Sequence, residues 1–245
     1  MNKKILYTAG IALTAMLVFL GFHFWGTTPK AKDKPKPAVK AAKTKKPAKK
    51  SAAKQPTPSI KASGMDPKVA NLASKAYACA RKQGLDSKQI LTVVDYSKPS
   101  TQKRMWVVDM KNNNVISQQL VSHGKGSGAK YAKHFSNGNG SHASSIGLYE
   151  TENTYYGHKG LSLRLKGLDR GFNDHAMSRA VVIHGANYAT QSFANRVGRL
   201  GLSWGCPAID PAMVKSTINT IKQGTLVFAY YPDSNWLSKS KYLHC

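Results

Sequence analysis

Acidic residues are scarce: eleven Asp and Glu stand against 37 Lys and Arg in 245 residues, a formal net charge of +26. Such a surface gathers anionic partners, whether nucleic acid, acidic lipid or a carboxylate-rich polymer, and does not choose among them. Cysteine is scarcer still. Cys79, Cys206 and Cys245 are too few and too scattered for a disulfide framework, and without a C-x-x-C pair they offer no zinc site. If two of them pair, Cys79 with Cys245 would tie down the C-terminus and leave Cys206 free; two inert thiols are the alternative. Residues 27–64 lack aromatic residues altogether and hold one acid, Asp33, among twelve lysines with repeated Pro and Ala. That composition cannot bury enough apolar surface to offset the entropy of ordering, so a disordered linker is expected there. The linker carries +11, the two lysines ahead of it +2, and residues 65–245 keep +13.

Charge is also missing from Ile5 to Trp25, 21 residues behind "MNKK". As a helix this run would be about 31 Å long, enough to cross a bilayer core. The flanking "GFHFWGTTPK" has no A-x-A-like cleavage site, which favours an uncleaved signal anchor over residues 1–26. Lys3 and Lys4 favour a cytoplasmic N-terminus, whereas Lys30, Lys32, Lys34, Lys36 and Lys40 pull the other way under the positive-inside rule. Long downstream domains translocate largely regardless of charge, so a single-pass inner-membrane protein with its domain in the periplasm is expected. The Lys-Pro-Ala linker reads as a solvated tether, with a wall-polymer ligand or a nucleic-acid tail as the other readings its composition permits.

Residues 65–245 form one domain. "DPKVANLASKAYACARKQG" places Asp66 as cap and Pro67 at the first helical position. Apolar residues at Val69, Leu72, Ala73, Ala76, Tyr77 and Ala80 mark one helical face over 66–83. Short β-rich runs follow at 90–95, 105–110, 115–121, 146–149, 161–165, 180–184 and 225–231, making a core over 90–232, and "KNNN" at 111–114 supplies a turn. Asp210, Pro211 and Gly224 bracket a second helix. No internal repeat and no regular β-α alternation occur, which excludes a doubly wound sheet and leaves a mostly β domain with a few helices. The polar stretch 122–145 reads as a long loop of the kind that is usually functional or disordered.

Two glycine-flanked residues carry chemistry. His184 ends the apolar strand "AVVIHG", and Cys206 sits in "LSWGCPA". A cysteine acyl-transfer site needs a thiolate, a base or cation to hold it, and donors for the developing oxyanion. His184 can be the base, with Gly185 beside it, and the backbone N–H groups of Trp204, Gly205 and Cys206 can converge as donors. Taken singly, Cys206 and His184 are more often core residues; in one β domain of an exported chain they read together as nucleophile and base, with His184 lowering the thiol pKa. The lone histidines His134, His142, His158 and His175 lack H-E-x-x-H or clustered spacing, so no metal and no cofactor are expected.

The order H-G, then S-x-G-C about twenty residues later, resembles the L,D-transpeptidase catalytic domain (YkuD-like). "VVDYSKPSTQKRMWVVDM", "LVSHGKGS", "FSNGNGSHASSIGLYET", "YYGHKGLSLRLKGLD", "RAVVIHGA", "GLSWGCPAID" and "GTLVFAYYP" extend the resemblance over roughly 90–232. It implies a β-sandwich or barrel and a cysteine acyltransferase that cross-links peptidoglycan stem peptides and is acylated by carbapenems. By position, Cys206 is its nucleophile, His184 its base and Ser203 its motif serine. Arg179 would receive a stem carboxylate, and His123, Ser144, Ser145 and Tyr149 would line the donor groove. The family's usual histidine before Gly-Cys is replaced by Trp204, and the Arg or Asn expected soon after the cysteine by Pro207, Ala208 and Ile209, which leaves His184 as the single obvious base. The rival readings are an L,D-carboxypeptidase on the same fold, a non-catalytic wall- or nucleic-acid-binding protein using the basic tail, and a papain-like peptidase, in which Cys usually precedes His. No nucleic-acid partner is expected on the favoured reading.

Overall fold

The computed structural model describes residues 60–245. The expected membrane span over 5–25 and the linker before residue 60 lie outside the described residues, and among those described no helix is long and apolar enough to cross a membrane. Helix α1 (Pro67–Lys82) begins as its sequence requires: the Asp66 carboxylate accepts from the Lys68 N–H at 2.7 Å, and Pro67 sits where no N–H is needed. Strands β1 (Ile90–Asp95), β2 (Met105–Asp109) and β3 (Asn114–Gln119) form an antiparallel set. Strands β4 (Gly147–Gly157) and β5 (Gly160–Gly167) form a hairpin, followed by β6 (Val182–Gly185), α2 (Gln191–Val197), the two-residue β7 (Ala208–Ile209), α3 (Pro211–Ile221), β8 (Leu226–Tyr230) and α4 (Ser234–Lys239).

All eight strands join one sheet in the order β3-β2-β1-β8-β4-β5-β6-β7. Its two ends approach each other: the Ser122 N–H, just past β3, donates to the Ala208 carbonyl of β7 at 2.8 Å, and Gly124 bridges Ser203. The sheet is therefore curled nearly into a barrel, the second of the two architectures expected, and the described residues form no second sheet to make a sandwich. Alternation divides its faces. Leu91, Val93, Leu226 and Phe228 pack with α1, while Val94, Val227, Leu163 and Ile183 pack on the other face, where Val214, Ile218 and Ile221 of α3 join them.

The packed core is wider than composition suggested. Ile60 is buried and its N–H donates to Ser74 Oγ, so the expected linker gives way to ordered chain before residue 65. Beyond 232, Trp236 is fully buried on Phe228 and donates to Asp169 Oδ2, and Ser240 donates to Asp169 Oδ1 at 2.6 Å. Cys245 is joined to Cys79 of α1 by a disulfide, with Cα atoms 5.7 Å apart, and Cys206 is free.

Candidate active site

Sheet register brings the two glycine-flanked residues together. His184 on β6 lies opposite Ser162 on β5 and opposite Ala208 on β7. The β6–β7 pair is parallel, so Cys206, two residues before Ala208, falls diagonally across from His184 on the same face. Both border one cleft of about 580 Å³, with Ser203 and Trp204 at its rim.

The His184 ring is oriented. Its Nδ1–H donates to the Gly185 carbonyl at 2.9 Å, which leaves Nε2 as the atom able to take a proton. Burial pushes its pKa below the usual 6.5, the Gly185 bond opposes that, and the Lys159 ammonium adds to it, so the ring is neutral near pH 7. Cys206 moves the other way. The residue is partly exposed at the cleft, yet enough protein surrounds the sulfur to raise the thiol above its ordinary range, against the Val182 N–H and the Arg179 guanidinium, which favour the thiolate. The Cys206 S–H points to the Ala180 carbonyl, 3.7 Å away. This corrects the expectation that His184 lowers the thiol pKa: the groups that favour the thiolate are Val182 and Arg179. Burial thus favours the neutral form of both groups.

Ser203 braces the turn that carries the thiol. Its Oγ accepts from the Gly205 N–H at 3.1 Å and donates to the Cys206 carbonyl at 2.7 Å. Gly205 has φ +118°, and a Cβ there would lie 2.8 Å from the Ala143 carbonyl oxygen, so the turn closes only on glycine. The expectation of three converging donors is corrected accordingly. The Gly205 N–H is spent on Ser203, and among the described residues the Trp204 and Cys206 N–H groups have no hydrogen-bond partner.

The expected groove residues form the floor beneath the turn. Arg179 donates to the carbonyls of Ser136 and Ala143, both at 2.7 Å, and to the hydroxyls of Ser145 and Ser141 at 2.5 and 3.2 Å. Its planar fork is consumed in pinning the 136–145 loop and is not presented to a carboxylate. Ser144 accepts from the Gly124 N–H and donates to the Gly205 carbonyl, both at 3.0 Å. The Ser145 hydroxyl donates to Ser136, and Tyr149 donates to the Ser145 carbonyl. His123 is fully buried, and its carbonyl accepts the Ser203 N–H at 3.0 Å. Hence His123, Ser144, Ser145 and Tyr149 do not line a substrate groove, because their polar atoms are needed to satisfy a buried loop. Gly185 serves through its carbonyl on His184.

Tyr155, His158, Lys159 and Tyr188 line the cleft, and sequence reasoning did not single them out for it. His158 and Lys159 form the tip of the β4–β5 hairpin, between Gly157 and Gly160, a two-residue turn signal that was present in the sequence. Among the described residues no three His, Cys, Asp or Glu side chains group so as to hold a metal.

The family model described as L,D-transpeptidase catalytic domain matches residues 61–230. The chain belongs to that family. Among solved structures, an L,D-transpeptidase from Mycobacterium smegmatis is similar at 13% identity over 58% of this chain and 59% of its own, with TM-score 0.36. An L,D-transpeptidase in complex with imipenem is similar at 14% over the same shares, 58% and 59%, with TM-score 0.36. The helical cell-shape determining protein of Campylobacter jejuni is similar at 11% over 66% and 56%, with TM-score 0.42. The chain thus spans less than two thirds of the length of each of these. No curated protein matches the sequence. In this L,D-transpeptidase-family domain the cleft brings together a free thiol, an imidazole oriented through Gly185, and a turn whose Trp204 and Cys206 N–H groups have no partner among the described residues.

Proposed function

We propose that this protein is a peptidoglycan L,D-transpeptidase whose nucleophile is Cys206. The observation that carries the reading is the sharing of one cleft by the free thiol and by His184, whose Nδ1 is tied to Gly185 so that Nε2 is left for proton transfer. Cys206 Sγ attacks a stem-peptide carbonyl while its proton passes to His184 Nε2. The oxyanion is met by the Trp204 and Cys206 N–H groups, two donors on one preorganised turn. His184 then protonates the departing amine of the terminal D-amino acid, and a thioester remains on Cys206. An acceptor amine resolves it into a cross-link, with His184 taking the amine proton and returning it to the departing Cys206 sulfur; water in its place makes the enzyme an L,D-carboxypeptidase. Ser203 and Arg179 are positioning residues, one for the turn and one for the loop behind it.

A carbapenem is expected to acylate the same sulfur as a substrate mimic. The Cys79–Cys245 disulfide suits an oxidising compartment, and with the apolar run of 5–25 it supports a membrane-anchored protein acting outside the cytoplasmic membrane. Intact-mass and product analysis of the full-length protein with purified stem peptides tests the assignment. Wild type should form a thioester adduct and release the terminal D-amino acid, and Cys206→Ala should do neither; release by Cys206→Ala would overturn it. A periplasm-active reporter fused after Cys245 tests the location, and activity of a cytoplasmic reporter instead would reverse it.

A further inference from the structure

Trp204 is out of place for a buried-turn residue. It is 71% exposed, while the residues on either side of it, Ser203 and Gly205, are buried. The backbone beneath the indole is fixed on both flanks by the Ser203 hydroxyl and the His123 carbonyl. The ring itself is held by His142, stacked at 4.7 Å between centroids and 18° between planes, and by the Lys125 ammonium 5.5 Å from its centre. His142 covers one face of the indole, and the 71% exposure leaves much of the ring open to solvent.

The indole also borders two depressions. It lines both the Cys206 cleft and a smaller cleft of about 300 Å³ bordered by Asn139, Gly140, His142, Ser178 and Arg179. A flat apolar ring beside amide, imidazole and hydroxyl groups is the chemistry that recognises a pyranose, whose C–H face stacks on the ring while its hydroxyl and acetamido groups take the polar contacts. A nucleotide fits less well. The guanidinium bordering this cleft is already committed to the Ser136, Ser141, Ser145 and Ala143 oxygens, so no fork is left for a phosphate.

We infer that Trp204, with the Asn139–Ser178 cleft beyond it, is a stacking platform for a neutral N-acetylated hexosamine of the glycan strand. The inference rests on the transpeptidase reading and extends it from the peptide to the sugar that carries it. Reach is compatible. Trp204 and Cys206 are two residues apart, so their Cα atoms are within about 8 Å, and three extended residues of a stem peptide span about 10 Å. A stem with its carbonyl at Cys206 Sγ can therefore bring its sugar over the indole. The replacement of the family's usual histidine by Trp204 then changes what the position does: it supplies a binding face in place of an ionisable ring.

The test compares a disaccharide-linked stem peptide with the same peptide lacking the sugar, on the full-length protein. Wild type should prefer the linked substrate in kcat/KM. Trp204→Ala should lower that preference roughly five- to tenfold, whatever it does to the free peptide, with the change in KM. Trp204→Tyr, which keeps a ring, should restore most of it. An unchanged preference in Trp204→Ala overturns the platform. A second measurement stands apart from turnover: a β-1,4-linked N-acetylglucosamine tetramer titrated into Cys206→Ala while indole fluorescence is followed. Of the other three tryptophans, Trp106 and Trp236 are fully buried and Trp25 lies outside the described residues, and all three are kept in Cys206→Ala/Trp204→Tyr, so a saturable change that disappears in that variant reports Trp204. Absence of that change, or an equal change with an oligonucleotide, overturns the sugar assignment. Failure of wild type to process either stem peptide would overturn the transpeptidase reading alone, and the tetramer titration would still decide the platform.

Discussion

Replacing His123 by Gln should remove a defined part of the acid sensitivity of this fold. His123 is fully buried, with Nδ1 accepting from Arg104 Nη2 at 2.7 Å and Nε2–H donating to the Gly128 carbonyl at 3.3 Å. Arg104 is itself fully buried and held by the carbonyls of Val121 and Lys98, with its guanidinium 5.2 Å from the centre of the Tyr96 ring. Burial brings its pKa down to about 10, so it stays cationic near pH 7. A protonated His123 would face that cation without solvent, and burial and then Arg104 push its pKa down to about 4 from 6.5. The unfolded chain takes up the proton near 6.5 and the native chain only near 4. The stabilisation is therefore complete above about pH 6.5 and is lost as pH falls through that window, about 3 kcal/mol in all. Between about pH 7.5 and about pH 5 the wild type should lose about 2 kcal/mol more than His123→Gln, which keeps an acceptor and a donor but cannot titrate. Urea unfolding at the two pH values measures it, and in a domain of this size the same difference is worth roughly 4–8 °C in Tm. Parallel pH profiles for the two proteins would refute the assignment of this window to His123.

Ser203→Ala should destabilise the Cys206 turn by about 2 kcal/mol, because it strips partners from a buried N–H and a carbonyl, and should slow carbapenem acylation; equal acylation rates would show that the turn holds without the hydroxyl. The acylation rate of wild type should fall only as pH drops below 6.5, where the depressed pKa of His184 lets its Nε2 protonate. A fall already above pH 7 would instead indicate a preformed thiolate–imidazolium pair. His184→Ala should slow acylation by roughly 10²- to 10⁴-fold at neutral pH in the same mass-spectrometric assay. Cys79→Ala opens a loop of sequence separation 166 and should cost up to about 5 kcal/mol in thermal or denaturant unfolding, while one carbapenem adduct still forms on Cys206.

Local physics made much of this legible beforehand. Asp66-Pro67 and Asp210-Pro211 start their helices because a carboxylate and a missing N–H satisfy a helix N-terminus wherever it lies. The β-branched and aromatic content of "ILTVVD" and "TLVFAY" marked β1 and β8 because such side chains pack well on a pleated sheet. Cys206 and His184 stood out because glycine flanks and strand ends are visible in one dimension, and the motif order pointed to the family. Strand β7 is two residues long, too short for any pattern, and α2 and α4 are short helices whose positions depend on what they pack against.

Tertiary structure decided the roles of the polar residues. Arg179, His123, Ser144, Ser145 and Tyr149 looked like ligands for a substrate because sequence cannot say where a side chain's hydrogen bonds go. A loop from 122 to 145 folded against the Cys206 turn carries many backbone groups away from water, and each must find a partner. Those five residues supply several, and a donor or acceptor so engaged has nothing left for a stem peptide. Lys159 and Tyr188 reach the cleft because the β4–β5 hairpin and the chain after β6 meet there, a contact between distant segments that no local pattern encodes. The sequence alone thus determined which atoms could react, because nucleophile and base are properties of residue type. Their surroundings, and so their protonation, came from the curl of the sheet, because burial and hydrogen bonding depend on how remote segments are brought together.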